Sequence, residues 1–161
     1  MALFQFDSAA GTLIDTGIAG TVDASGATAT FSGVTHFSTY VAVLDGEAPV
    51  IAEVTASPNI LWPPNHGMVP VSLAVSVTDR ADPAPTCRIS EVTSNEARGR
   101  QGSGSTAVDW TITGPLTAVL RAERSGGGSG RIYTLTIECR DAAGNSATAT
   151  ALVTVPHDRS R

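Results

Sequence analysis

The sequence predicts an all-β chain built from two consecutive blocks of short strands. Three observations carry that expectation. Thr, Val, Ala, Ser and Gly dominate the 161 residues, with aromatics at 5% and charged residues at 16%, a composition suited to β-branched strands joined by tight turns. Segments of alternating apolar and small polar residues recur between clusters of Gly, Pro, Asn and Asp, the pattern of half-buried strands and their turns. No run of about 10 to 12 residues repeats apolar positions at helical spacing without a Gly, Pro or β-branched interruption.

In the first block LFQF (3–6), TLID (12–15), ATATF (27–31) and FSTYVAVL (37–44) read as strands, with turns at SAAG, IAGTVDASG and SGV. Asp45-Gly46-Glu47-Ala48-Pro49 forms a charged, Gly- and Pro-bearing hinge, so the chain is divided into residues 1–45 and 46–161. Four or five short strands leave unpaired edges, and such edges recruit a further strand. The second block reads as seven strands: 49–56, 67–79, 85–94, 107–113, 116–123, 131–141 and 146–155. Between them lie turn-rich connections, ADPAP, ARGRQGSGST, GP, RSGGGSG and AAGN. Seven strands at this spacing predict two packed antiparallel sheets.

Charge and cysteine usage narrow the function. All ten positive charges are Arg, with no lysine in the chain, which rules out an isopeptide crosslink, a Schiff-base lysine and a P-loop lysine, since each needs an ε-amine. Residues 1–79 carry seven acids and no Arg, the reverse of the basic face that nucleic acid requires. Cys87 and Cys139 stand in two strand-like segments without any CxxC pairing. In this composition they read as one structural disulfide in an oxidising compartment, two reduced core thiols being the alternative. Residues 1–20 lack a basic start followed by an apolar run, so neither a secretory leader nor a membrane span is read there, and a secreted parent would have been processed to this piece.

TIECRDAAGNSATATALVTV (136–155) resembles the last two strands of bacterial immunoglobulin-like and hyalin-repeat modules, and SPNILWPPNHGMVPVSLAVSVTDRADPAP (57–85) resembles the opening of such modules in secreted multidomain proteins. This resemblance covers most of 48–156. It implies an immunoglobulin-like β-sandwich used as a spacer, stalk or adhesive unit, with no catalytic residues to carry over. GVTHFSTYVAV (33–43) is similar to the C-terminal half of ZU5-like domains, which implies that residues 1–45 are a small, incomplete β segment whose upstream strands come from elsewhere.

Four groups of residues are candidates for chemistry. His36-Phe37-Ser38 matches a self-cleavage site in which the Ser38 hydroxyl attacks the preceding carbonyl with His36 as base; the plainer reading is a turn leading into a strand. In a sandwich the entry linker, the loop after 67–79 and the loop before 146–155 meet at one end. They hold Asp45 and Glu47, Asp79 and Asp82, and Asp141 and Asn145, an oxygen set that suits calcium. The competing role is turn capping, in which Gly144 and Asn145 accept positive φ. Cys87 and Cys139 fall on strands expected to be neighbours in one sheet. Trp62-Pro63-Pro64-Asn65-His66 is an irregular turn that either presents Trp62 and His66 to a sugar or protein, or caps the open edge of the sandwich. Trp110, alternating with Val108 and Ile112, reads as core. No nucleophile, base and orienting acid come together, so the chain is expected to be a non-enzymatic extracellular structural or adhesive module. It is expected to associate with itself or with neighbouring domains by strand addition, without nucleic acid or membrane insertion. A carbohydrate- or protein-binding accessory module is the alternative.

Overall fold

The computed structural model describes residues 1–22, 29–35, 39–43, 45–96 and 108–158. The fold is all-β, with no helix among these residues. Eleven strands follow in chain order: β1 (Ala2–Asp7), β2 (Thr12–Val22), β3 (Ala29–Phe31), β4 (Tyr40–Val43), β5 (Val50–Ser57), β6 (Met68–Thr78), β7 (Thr86–Ser94), β8 (Trp110–Gly114), β9 (Thr117–Arg121), β10 (Gly130–Arg140) and β11 (Ser146–Pro156). The chain divides into two compact units. One comprises Met1–Val50 with Thr78–Thr86 and Arg140–Ser146, and the other Ile51–Val77, Cys87–Cys139 and Ala147–Arg161.

In the first unit four strands form an antiparallel sheet in the order β3-β2-β1-β4. β2 runs well past the 12–15 expected from the sequence: a bulge at Thr16–Gly17 carries the strand on through residues 18–22, where the sequence read a turn. Leu3 faces Ile18 while Phe4 faces Asp15, so Thr16 and Gly17 have no opposite number. Gly17 sits at φ +66°, a conformation glycine adopts without steric cost. Asp15 Oδ1 accepts the Gly17 N–H at 2.9 Å, and the Thr16 hydroxyl donates to the Leu3 carbonyl. The bulge therefore lengthens a strand that Gly content alone would have ended.

The second unit has a four-stranded sheet, β5-β6-β9-β8, and a three-stranded sheet, β11-β10-β7. Their facing side chains make one hydrophobic core: Val71 and Leu73 of β6, Ala118 and Leu120 of β9, Ile89 and Val92 of β7, Tyr133, Leu135 and Ile137 of β10, and Val153 and Val155 of β11. β10 and the buried ends of β6, β9 and β11 alternate between buried and more exposed positions, the period of a half-buried strand. Leu61 also enters this core. It is held there because residues 59–61 run alongside β11, with Leu61 N–H donating to Thr154 O at 2.8 Å and Thr154 N–H to Asn59 O at 2.9 Å. Trp110 packs against the core, its ring edge-on to Tyr133 with centroids 5.9 Å apart. Val108 and Ile112 are exposed instead. Ile112 lies on β8, the outer strand of its sheet, where fewer neighbours reach over it.

Cys87 on β7 and Cys139 on β10 form a disulfide, with their Cα atoms 4.0 Å apart and 52 positions between them. β7 and β10 are neighbours in one sheet, as expected. Closing a loop of that length removes roughly 4 kcal/mol of unfolded-state entropy in the chain-entropy account. We expect chemical denaturation under reducing conditions to show an unfolding free energy lower by about 2–4 kcal/mol, with an unchanged value showing that the bridge does not constrain the unfolded chain.

Candidate functional site

Two polar clusters stand out, one in each unit. In the first unit Asp45, Asp79 and Asp141 each offer a carboxylate oxygen, all within 4.8 Å of one another. Three loops far apart in sequence thus converge as the sandwich topology led us to expect. Asn145 joins them, its amide donating to the Asp45 carbonyl at 3.1 Å and to Asp141 Oδ2 at 2.8 Å. Glu47 and Asp82 stand outside the trio.

Each of these acids also shapes its own loop. Asp79 Oδ1 accepts the N–H groups of Ala81 and Asp82, both at 2.8 Å. Asp82 Oδ1 accepts Ala84 N–H at 2.9 Å, and its Oδ2 accepts Ala142 N–H at 2.8 Å, tying two loops together. Asp45 Oδ1 accepts Glu47 N–H at 3.1 Å. Asp141 Oδ1 accepts Asn145 N–H at 2.8 Å across a turn in which Gly144 takes φ +96°. Such Asx turns are what Asp and Asn do best in a loop.

The electrostatics pull in two directions. Asp141 is only 6% exposed, and burial opposes its ionisation. Hydrogen bonds from the Asn145 side chain and from the backbone N–H groups of Asn145, Gly144 and Ala143 outweigh that and hold its carboxyl below the ordinary 3.8. Carboxylate oxygens within 4.8 Å of one another repel when charged, by about 1–3 kcal/mol per pair depending on how well solvent screens them. A divalent cation relieves such repulsion, and an all-oxygen set suits calcium.

The second cluster was not read from the sequence. Arg131, 2% exposed, lies at the start of β10 on the core face. Its Nη1 donates to the Tyr133 hydroxyl at 3.0 Å and lies 3.4 Å from Asp109 Oδ1, and its Nε lies 3.3 Å from Glu96 Oε2. Tyr133 O–H in turn donates to the Arg121 carbonyl at 2.8 Å. Burial alone would lower the Arg131 pKa, but Tyr133, Asp109 and Glu96 outweigh it and the guanidinium is held charged. Burial pushes the Tyr133 phenol upward. Both Glu96 oxygens accept Ser125 N–H. Arg121 Nη1 donates to the His66 carbonyl at 2.7 Å, and His66 Nδ1 lies 3.1 Å from buried Glu123. A buried cation surrounded this way is ionic scaffolding. The period of β10 could have revealed it, since Arg131 falls in phase with Tyr133, Leu135, Ile137 and Cys139.

His66 therefore sits in a backbone clamp, with φ +64° and its N–H bonded to Ala122 O at 2.9 Å. Trp62 is 39% exposed while its neighbour Leu61 is buried, so Leu61, and not the tryptophan, fills the core edge. His36 and Ser38 lie outside the described residues. No helix among the described residues is long and apolar enough to cross a membrane.

The depressed Asp141 pKa fixes a sign. Its stabilising contribution is in place above pH 3.8 and is lost as pH falls through the lower folded-state value. We expect Asp141→Asn to destabilise the protein near neutral pH by about 1–3 kcal/mol, and the gap to wild type to shrink in acid; a pH-independent gap would contradict the assigned cause. Melting in calcium against chelator separates the two roles of the trio: a rise that Asp45→Asn removes assigns it to a cation, and equal temperatures assign it to the turns alone. No protein-family model, curated protein or solved structure matches the chain.

Proposed function

We propose that the chain is a non-enzymatic, extracellular structural or adhesive module in which the N-terminal sheet joins copies by strand addition. The observation that carries this is the poverty of core in that sheet. Among the described residues of 1–45, Leu3 is the one buried hydrophobic side chain, while Phe6, Leu13, Ile14 and Val41 are exposed, Leu13 at 49%. The strands β3 and β4, three and four residues long, stand at the two ends of this sheet among the described strands. Sheets of this kind gain stability by accepting another strand, since that pairs edge amides and covers apolar surface together.

The sandwich fits the role of spacer. Lettered A to G from β5 to β11, its sheets run A-B-E-D and G-F-C, the strand order of immunoglobulin-like domains; this and the motifs of 57–85 and 136–155 support that family reading. The disulfide supports an oxidising, extracellular setting. A second reading, an accessory module that binds carbohydrate or protein, is favoured by exposed Trp62 beside exposed Ile60, on a segment fixed to β11 by the Asn59, Leu61 and Thr154 hydrogen bonds.

Light scattering with electron microscopy of the purified chain is expected to show large, regular particles, which Leu13→Asp should dissociate without lowering the melting temperature of the sandwich. A clean monomer at high concentration would overturn strand addition. In that case retention on glycan or matrix supports, lost in Trp62→Ala, becomes the observation to seek.

A further inference from the structure

We propose that His157 is a proton-dependent latch that fastens the Ser125–Ser129 turn to the end of β11, strongest when both ring nitrogens carry a proton and serve Asp158 and Gly126 together. The inference is independent of the assembly reading and rests on what the two nitrogens face. Nδ1 lies 2.8 Å from Asp158 Oδ2, and Nε2 lies 3.1 Å from the Gly126 carbonyl oxygen. A backbone carbonyl has no proton to give, and an aspartate near neutral pH has none either. A neutral imidazole carries a single N–H, so it satisfies one of these acceptors and points a lone pair at the other. Only the imidazolium serves both.

The surroundings explain why this site is a latch and not an isolated contact. The turn is SGGGS, a segment with little local preference for any one conformation. It is tied at one side by Ser125 N–H, which donates to Glu96, and closed weakly on itself by Gly128 N–H to Ser125 O at 3.4 Å. Arg124 Nη2 donates to the His157 carbonyl at 2.8 Å. At Gly130, the first residue of β10, an added Cβ would stand 2.8 Å from Val155 O and 3.1 Å from His157 N, so the start of β10 and the end of β11 are in close backbone contact. The His157 ring adds a side-chain tie to the Gly126 carbonyl within the turn.

The charged groups acting on the ring are Asp158, from its own segment, and Arg124, from the segment after β9. The Asp158 hydrogen bond and the Gly126 carbonyl favour the protonated ring, Arg124 opposes it, and the balance holds the His157 pKa above 6.5. With a folded-state pKa raised in this way, the contribution to stability is complete below pH 6.5 and is lost as pH rises through the folded value. The latch is therefore tightest in mildly acidic surroundings and weakens toward alkaline ones.

Proton NMR of the whole chain tests this directly, the His157 ring signal being assigned by its loss in His157→Ala. We expect a ring midpoint above 6.5 that Asp158→Asn lowers. The amides of Ser125 and Gly128, corrected for the intrinsic pH dependence of exchange, should exchange roughly 1.5- to 5-fold faster across that midpoint, the range an exposed ion pair commands. In His157→Ala the step should vanish. A ring midpoint at or below 6.5, or turn exchange that ignores the ring titration, would overturn the proposal; should His157→Ala fail to fold, His157→Gln supplies the assignment.

Discussion

Strand β10 is the element on which the sandwich depends. Arg131, Tyr133, Leu135, Ile137 and Cys139 occupy alternate positions of one strand, and all five are buried. The period of two in an extended chain leaves no choice: side chains that share parity share a face. β10 lies between β11 and β7, so its inward face meets the core and its edges are both paired. Its first inward position carries the buried cation, its middle three fill the core, and its last is crosslinked to β7. A one-residue slip would move all five to the opposite face, which makes the register of this strand strongly specified.

The buried charge at the head of β10 imposes its own requirements. An arginine removed from water costs several kcal/mol unless its donors are met, and Arg131 is met by Tyr133, Asp109 and Glu96. These partners come from β10 itself, the segment before β8 and the segment after β7. Asp109 is 2% exposed, so it has no access to bulk solvent as an alternative partner. The cluster thus fixes loop ends whose sequence, rich in Gly and Ser, specifies little. At the opposite parity of design, the N-terminal sheet has a bulge, short outer strands and exposed apolar residues, and no comparable buried centre among its described residues.

Much of this was legible from residues alone. Alternation located the strands of the sandwich to within a few residues, because a half-buried sheet enforces a period that turn residues punctuate. The neighbouring placement of Cys87 and Cys139, and the convergence of the loops bearing Asp45, Asp79 and Asp141, followed from topology. What was missed has physical causes. β2 extends beyond 12–15 because pairing of Gly20, Thr21 and Val22 with β3 continues the strand through a segment whose glycines signal a turn in sequence. Leu61 and not Trp62 fills the core edge, since the path of residues 59–61 along β11 is set by long-range hydrogen bonds. Arg131 carries no motif that singles it out in sequence, although its parity with Tyr133, Leu135 and Ile137 places it inside.

β10 and its partners form a well-buried core, whereas among the described residues of 1–45 only Leu3 is a buried hydrophobic side chain. Hydrogen exchange measured by mass spectrometry on the dilute chain tests this most directly. We expect amides of β10 to exchange only through global unfolding, and those of β1 and β2 to exchange by local opening far more readily. Equal protection of β1, β2 and β10 at a concentration where the chain is monomeric would contradict it.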